Sequence, residues 1–434
     1  MKISLVGARK RWLFFAVLLL VAGAFGFEAA KGWLAAHWAD SPRSQDWFRA
    51  ANLEPGNAEY WHRLGLFEQW DMERDDLQQA LRYYQKAAEV NPRSDIYWMD
   101  LAGAYGMLGA TSRAREAYEQ AKLDHPVSPE VAWRYGSFLL RQNDASKAFA
   151  EFRVALMRDP KLETSAVAQS WKAGASPSLI LNEILPAQSQ YYLVALDFFL
   201  SQRQDAAALE IWSRLLDLKQ PLEIQQAVPL VNDLIAQDRA QEARNVWQQA
   251  LTATHSAADS KGDPSVLFNG GFEHDLVNGG FDWRETPVQG ASFEIDTGVA
   301  HSGARSLRIN FDGSANLDFA HLLQWVAVQP RSRYRFAAYL RTEGISTDSG
   351  VRFQVYDPHH PAVPQTLTAE LTGTHPWSLV DAELTTGPET HLLAVVLRRV
   401  PSRKFDNKLQ GTVWVDDVSL NLMEPAGESK IGLR

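Results

Sequence analysis

Residues 95–126 read DIYWMDLAGAYGMLGATSRAREAYEQAKLDHP, and their small, aromatic and proline positions recur along the neighbouring chain at a fixed interval. Ala114 has counterparts 34 residues away on both sides, at Ala80 and Ala148; Tyr118 has Tyr84 and Phe152; Ala121 has Ala87 and Ala155; Pro126 has Pro92 and Pro160. Four columns in one register mean a repeated supersecondary unit rather than one amphipathic helix. Each column has a mechanical reason. Small Ala residues let neighbouring helices approach, the aromatic ring fills the space between them, and Pro stops the second helix and opens the next unit.

The first helix of each unit adds Trp61, Leu64 and Gly65, then Trp98, Leu101, Ala102 and Tyr105, then Ala132, Tyr135, Gly136 and Leu139. This pattern resembles the tetratricopeptide repeat, whose signature is W-x2-L-G-x2-Y followed by A-x3-F, A and P. The second unit matches best; the first carries three extra residues before Ala80 and has Glu68 in the usual Tyr column. Trp47, Ala50 and Pro55 reproduce the end of a preceding unit, and Ala208, Trp212 and Leu215 recur 35 residues on as Ala243, Trp247 and Ala250. Residues 40–253 are therefore expected to form one helical solenoid, degenerate over 161–190, where Gly174, Pro177 and Pro186 break the pattern. The repeating Trp, Tyr and Ala residues read as packing, not as a binding site. The resemblance implies a groove on the inner face for an extended peptide or helix of a protein partner. Counted from the Trp columns, the groove candidates are Glu59, His62 and Gln69, then Ile96 and Met99, then Glu130 and Trp133. Trp133 lies off the packing register and is the candidate anchor, since exposed Trp is enriched at interfaces. The Lys and Asn pair with which some members of the family clamp a C-terminal carboxylate is not evident.

Upstream, Lys2, Arg9, Lys10 and Arg11 precede an uncharged run from Trp12 to Phe27, 16 residues long, followed by Glu28, Trp33, Leu34 and Trp38. The run falls just short of the roughly 17–25 residues that span a bilayer, but Arg11 can snorkel at one end while Trp33 sits in the far interface. Residues 1–38 thus read as a basic tip and signal-anchor helix. A cleaved signal peptide, with the small residues Ala22 and Ala24, satisfies the same pattern. Either way the basic end stays inside, so the body is expected in the periplasm of a bacterium, on a single-pass inner-membrane anchor or secreted after cleavage. The absence of cysteine among 434 residues excludes disulfides, thiolate zinc sites, a catalytic cysteine and a lipoprotein terminus. A formal charge of -9 gives no basic stripe for phosphates, which argues against nucleic acid as a partner.

After Leu251 the period changes. Residues 254–265 are small, polar and rich in breakers, a linker. From 266 to about 424 the apolar residues alternate: Leu307, Ile309 and Phe311 share one face, as do Tyr334, Phe336, Ala338 and Leu340, and Val351, Phe353 and Val355; His391–Leu397 and Thr412–Leu420 give further strands, and residues 425–434 are a tail. Short strands between turn clusters such as Asp312-Gly313-Ser314 indicate an all-β sandwich. The blocks Asn269-Gly270-Gly271-Phe272-Glu273, Trp283, His301-Ser302-Gly303, Tyr334-Arg335-Phe336 and Trp414-Val415-Asp416-Asp417-Val418 resemble, in order and spacing, a carbohydrate-binding module of the family 4/9 jelly-roll type. The expected fold class is multidomain: a transmembrane helix, an all-α tetratricopeptide solenoid and an all-β jelly-roll sandwich.

If Val351, Phe353 and Val355 point inward, Arg352, Gln354 and Tyr356 point out, and Arg335, Tyr339 and Arg341 are expected to do the same on a neighbouring strand. Sugars need flat rings against their C–H faces and planar donors or acceptors for their hydroxyls, so Tyr339, Arg352, Gln354 and Tyr356 are candidates. Trp325, of opposite parity to Val326, and Trp377, in a turn after Pro376, join them. The same face also reads as a charged, solvated outer sheet. In similar modules a structural calcium is held by the Glu of the N-G-G-F-E block and an Asp of the last strand, which maps onto Glu273 and Asp416 or Asp417; without that resemblance these acids cap a turn or face solvent. No other cofactor is required. His359 and His360 lack the i,i+4 spacing of a helical zinc site, and G-x-S-x-G, H-E-x-x-H and P-loop motifs are absent. The sequence therefore reads as a non-enzymatic adaptor, with a protein partner on the solenoid, a polysaccharide on the sandwich and the membrane at the N-terminus. A purely protein–protein scaffold is the alternative.

Overall fold

The computed structural model describes residues 7–71, 76–254 and 265–423, which form two compact units, Met1–Ala187 and Gln188–Arg434. Lys2, most of the expected linker and the tail at 425–434 lie outside the described residues.

The first unit opens with a 32-residue helix α1 (Ala8–Ala39), which among the described residues is the one helix long and apolar enough to cross a membrane. Its side chains from Trp12 to Phe27 are exposed, whereas Ala35 and Ala39 are buried with Ala50 of α2 (Ser44–Leu53). The same unbroken helix that carries the apolar run thus supplies the first packing surface of the repeats. Helix pairs follow: α3 (Ala58–Trp70) with α4 (Leu77–Val90), α5 (Asp95–Met107) with α6 (Thr111–Asp124), and α7 (Pro129–Arg141) with α8 (Ala145–Leu156). Then come α9 (Glu163–Lys172), the single turn α10 (Pro177–Leu179) and a π-helical turn at Ile180–Ile184, so the stretch with Gly174 and Pro177 is where regular pairing lapses.

The repeated columns have visible causes. Ala80, Ala114 and Ala148 are fully buried at helix crossings, as are Ala87, Ala121 and Ala155. Gly65 lies so close to Tyr84 that a Cβ there would sit 2.5 Å from its ring, and at Gly136 a Cβ would sit 2.9 Å from Phe152; the ring of each second helix therefore needs a residue without a side chain opposite it. The Trp and Pro columns are linked. Trp61 Nε1 donates to the carbonyl of Pro55 at 3.1 Å and Trp98 Nε1 to that of Pro92 at 2.7 Å, so each Trp fastens its helix to the turn that precedes it.

The second unit begins with α11 (Ser189–Ser201), α12 (Asp205–Asp217), α13 (Val228–Ala236) and α14 (Ala240–Ala253). Among the described residues ten strands follow: β1 (Arg284–Glu285), β2 (Ala291–Asp296), β3 (Ser306–Asp312), β4 (Phe319–Ala327), β5 (Arg333–Ile345), β6 (Arg352–Tyr356), β7 (Thr366–Leu367), β8 (Gly373–Thr385), β9 (Leu392–Arg399) and β10 (Gln410–Leu422). They form two five-stranded antiparallel sheets, ordered β1-β4-β9-β6-β7 and β2-β3-β10-β5-β8. Phe353 of the first sheet meets Phe336 of the second at 5.0 Å between ring centres, and Phe319 meets Phe311 at 5.2 Å. The apolar face of each strand is thereby buried against the other sheet, which is a sandwich.

Candidate functional site

The alternation of β6 is strict: Phe353 and Val355 are buried, and Arg352, Gln354 and Tyr356 are partly exposed on the outer face. β9 and β4 continue that face. Tyr356 pairs with Ala394, which pairs with Trp325, so one cross-strand row reads Trp325–Ala394–Tyr356. Two strand spacings put the aromatic backbones roughly 10 Å apart, and the small residue between them, Ala394, is fully buried. The adjoining row reads Leu323–Val396–Gln354, and Gln354 Nε2 donates to Gln365 Oε1 at 2.5 Å. Arg352 is held by Glu370 at 3.2 Å. Trp325, Arg352, Gln354 and Tyr356 thus share one face, two partly exposed aromatics with amide and guanidinium groups beside them.

Tyr339 and Trp377 do not belong to that face. Although β5 and β6 are consecutive in the chain, β5 lies in the other sheet, because the connection between them crosses the sandwich. The expectation that Arg335, Tyr339 and Arg341 neighbour the β6 residues is therefore corrected. Tyr339 stacks on His301 at 3.6 Å, and Trp377, which is in strand β8 rather than a turn, meets the same imidazole edge-on at 5.7 Å. Trp414, on the next strand, lies under Arg341 at 5.1 Å and donates to Asp296.

Helices α13 and α14 close directly on the sandwich. Trp247 of α14 packs edge-on against Phe268 and Phe281 at 5.6 and 6.4 Å. Asn232 Oδ1 of α13 accepts from the Gly280 amide at 3.0 Å and from Arg284 Nη2 at 2.6 Å. A Cβ at Gly279 would sit 2.5 Å from Val228, and one at Gly280 would sit 2.4 Å from Trp247, so this glycine pair is what lets the helices approach. Beyond α13, Asp238 comes within 3.8 Å of His359 in the loop after β6, while His360 pairs with Asp357 at 3.0 Å. The helical hairpin thus touches the sandwich from the β1 edge to the loop that follows Tyr356. Trp247 reads in the sequence as a repeat-packing column, and nothing there marked its role in docking.

The acids matched to a calcium site are engaged otherwise. Asp416 is fully buried; its Oδ2 accepts from the His301 and Ser302 amides at 2.7 and 3.2 Å, and its Oδ1 from the Asp417 amide at 2.7 Å. Burial pushes its carboxyl above the usual range, against the pull of those amides. Asp417 takes Ser302 Oγ at 2.7 Å and His301 Nδ1 at 2.5 Å, and Glu273 Oε1 takes the Ala304 and Arg305 amides at 2.8 and 3.2 Å. Calcium wants six to eight free oxygens. These carboxylates instead accept from N–H groups and the Ser302 hydroxyl and clamp the loop at 301–305, and among the described residues no group of three or more acids and histidines is arranged to hold a metal. The residues do not fit the ion.

Of the residues expected in the groove of the repeats, Glu59, Ile96 and Glu130 are exposed. His62 and Gln69 are buried and used: His62 Nε2 meets Asp100 Oδ2 at 2.7 Å, and Gln69 binds the Tyr84 hydroxyl at 2.7 Å and the Met107 sulfur at 3.3 Å. Met99, expected in the groove, is core at 3% exposure, packed in the same buried cluster as Tyr97, Leu101 and Ala102 of its own helix. Trp133 is half-buried against Phe152 at 4.9 Å. Asp100 and Arg134, both passed over in the sequence, are the hub: Asp100 Oδ1 accepts from Arg134 at 2.8 Å, and Arg134 also binds Glu130 at 2.6 Å. Their separation of 34 residues, one repeat, was the signal available.

No family model matches the chain, and no curated protein does. Among solved structures it is similar to YrrB, a TPR protein with an unusual peptide-binding site, at 13% identity over 41% of this chain and 93% of that one, with a TM-score of 0.27. It is also similar to a CBM4 structure, at 15% identity over 36% and 99% of the two chains and a TM-score of 0.27. A third is the CBM22-1 xylan-binding domain of Paenibacillus barcinonensis Xyn10C, at 14% identity over 36% and 94% and a TM-score of 0.25. By its own helix pairing and strand order, the chain carries helical-hairpin repeats and a two-sheet antiparallel sandwich.

Proposed function

We propose that this chain is a non-enzymatic adaptor, anchored by α1 in a bacterial inner membrane with its body in the periplasm, that holds a glycan on the outer face of the β4 sheet and a protein partner on the inner face of its helical repeats. Its setting is the assembly or export of exopolysaccharide or envelope polysaccharide. The observation that supports this reading is the Trp325–Ala394–Tyr356 row, where two partly exposed rings stand on either side of the buried Ala394, beside Gln354 and Arg352. Flat rings at that separation take the C–H faces of sugar units, and the amide and guanidinium take hydroxyls. The exposed Glu59, Ile96 and Glu130, on the first helix of successive units, are the contacts assigned to the protein partner.

Affinity electrophoresis of the full chain tests the glycan half, in a polyoxyethylene detergent that carries no sugar headgroup. The wild type is expected to be retarded by at least one polysaccharide of a neutral and acidic panel, and Trp325→Ala and Tyr356→Ala each to abolish that retardation. Retardation unchanged in both variants, or absent throughout the panel, leaves the protein–protein scaffold as the explanation.

A further inference from the structure

Among the described residues, three arginines stand on the outer face of the β4 sheet, and two of them have acid partners there. Arg352 pairs with Glu370, and Arg398, directly opposite Arg352 in the register, pairs with Asp318. Arg284 does not. Its Nη2 donates to Asn232 Oδ1 at 2.6 Å and to the Gly280 carbonyl at 3.0 Å, both neutral, and its Nε is buried without a partner. Burial alone acts on its ionisation, lowering it, with no carboxylate pulling the other way. A desolvated guanidinium without an acid costs stability unless something outside the chain neutralises it.

Its position says what that is. Trp283, the preceding residue, is fully buried in the core, so Arg284 faces outward, and the register sets it opposite Leu323. Trp325 is two residues further along the same strand and on the same face, a diagonal neighbour within reach of a long side chain. The free cation therefore stands beside the aromatic row, at the corner where α13 meets β1. Helix α13 helps to make this corner, since Asn232 holds the Nη2 edge of the guanidinium, and among the described residues nothing hydrogen-bonds to Nη1.

We propose that the glycan is a uronic-acid polymer, one of whose carboxylates pairs with Arg284 while its ring stacks on Trp325. A planar guanidinium suits a planar carboxylate, and such charge-assisted bonds are about twice as strong as neutral ones. The proposal rests on the β4-sheet reading above and adds to it the charge of the ligand and the part played by α13.

The test compares polygalacturonate, alginate and hyaluronate with their methyl esters, which keep the backbone and remove the charge, by affinity electrophoresis of the full chain in the same detergent. Tighter binding to at least one acidic polymer than to its ester, by about tenfold or more, is expected. Arg284→Gln should remove that preference and leave ester binding unchanged, and Arg284→Lys should restore part of it; matching circular dichroism spectra and melting temperatures show that the variants fold. Equal binding to acid and ester, no retardation by any of the three acids, or a preference that survives Arg284→Gln overturns the proposal. If Trp325→Ala abolishes binding while acid and ester are held equally, the sheet face stands and only the charge assignment fails. If Trp325→Ala changes nothing, the face itself is wrong.

Discussion

Replacing Gly280 by alanine should detach helices α13 and α14 from the sandwich. Gly280 has φ +60°, a conformation that costs an ordinary residue about 1 kcal/mol. The new methyl would also meet Trp247 at 2.4 Å from Cζ3 and 2.8 Å from Cε3, and forcing a methyl into a packed contact costs roughly 1–3 kcal/mol more. Gly344 provides the control, since its φ is +64° and a Cβ there meets nothing within 4 Å. Gly344→Ala carries the backbone cost without the collision. The difference, about 1–3 kcal/mol, falls on the helix-to-sandwich contact and should speed amide exchange over residues 240–253 by roughly 5- to 150-fold in Gly280→Ala relative to Gly344→Ala. Trp247→Ala removes the ring that the methyl strikes, so in that background the two alanines should have nearly equal effects. Equal exchange in the two single variants, or a difference that persists without Trp247, refutes the docking argument.

Arg399 is fully buried and donates to Asn316, Thr347 and the carbonyls of Leu317, Ser349 and Asn407, which ties three loops at one end of the sandwich. Arg399→Met should cost about 3–5 kcal/mol in urea unfolding, because it strands those acceptors; a loss below about 1 kcal/mol contradicts this. Burial pushes the Glu163 carboxyl up to about 7, and its Oε1 has no partner. A folded value above the unfolded one favours the protonated form, so this group's contribution is complete below about pH 4.5 and is lost as pH rises through 7, by up to about 3 kcal/mol. Glu163→Gln should flatten unfolding free energy between pH 5 and pH 8, and an unchanged slope would show the carboxyl to be solvated. Addition of calcium or of EDTA should leave the melting temperature unmoved, since Glu273, Asp416 and Asp417 already hold the 301–305 loop through N–H groups; a calcium-dependent rise of several degrees would reverse that account.

The sequence showed most where a period is enforced by packing. The Ala, Tyr/Phe and Pro columns recur because each fills the same gap between helices, and Val351, Phe353 and Val355 alternate because one face of β6 is core. Period two, however, gives which way a side chain points and not which sheet its strand joins. That is why Arg352, Gln354 and Tyr356 were legible as outward while Tyr339 was placed beside them, although the chain crosses to the other sheet between β5 and β6. Gly279 and Gly280 carry no mark in the sequence, since a docking contact made by the absence of a side chain has no pattern of its own. Arg284 was silent for a related reason: that it lacks an acid partner depends on every residue folded around it. Met99 was misplaced because α5 is buried nearly all round, so that neither of its faces is marked by polarity.

Hydrogen exchange of the full chain with and without the oligosaccharide it retains reads the central claim at the level of strands. The account predicts slower exchange in residues 284–285, 322–327, 352–356 and 392–398, suppressed in Trp325→Ala, with residues 334–341 and 374–380 unchanged. Protection confined to the Tyr339 and Trp377 side, or none in either sheet under saturating ligand, would contradict it.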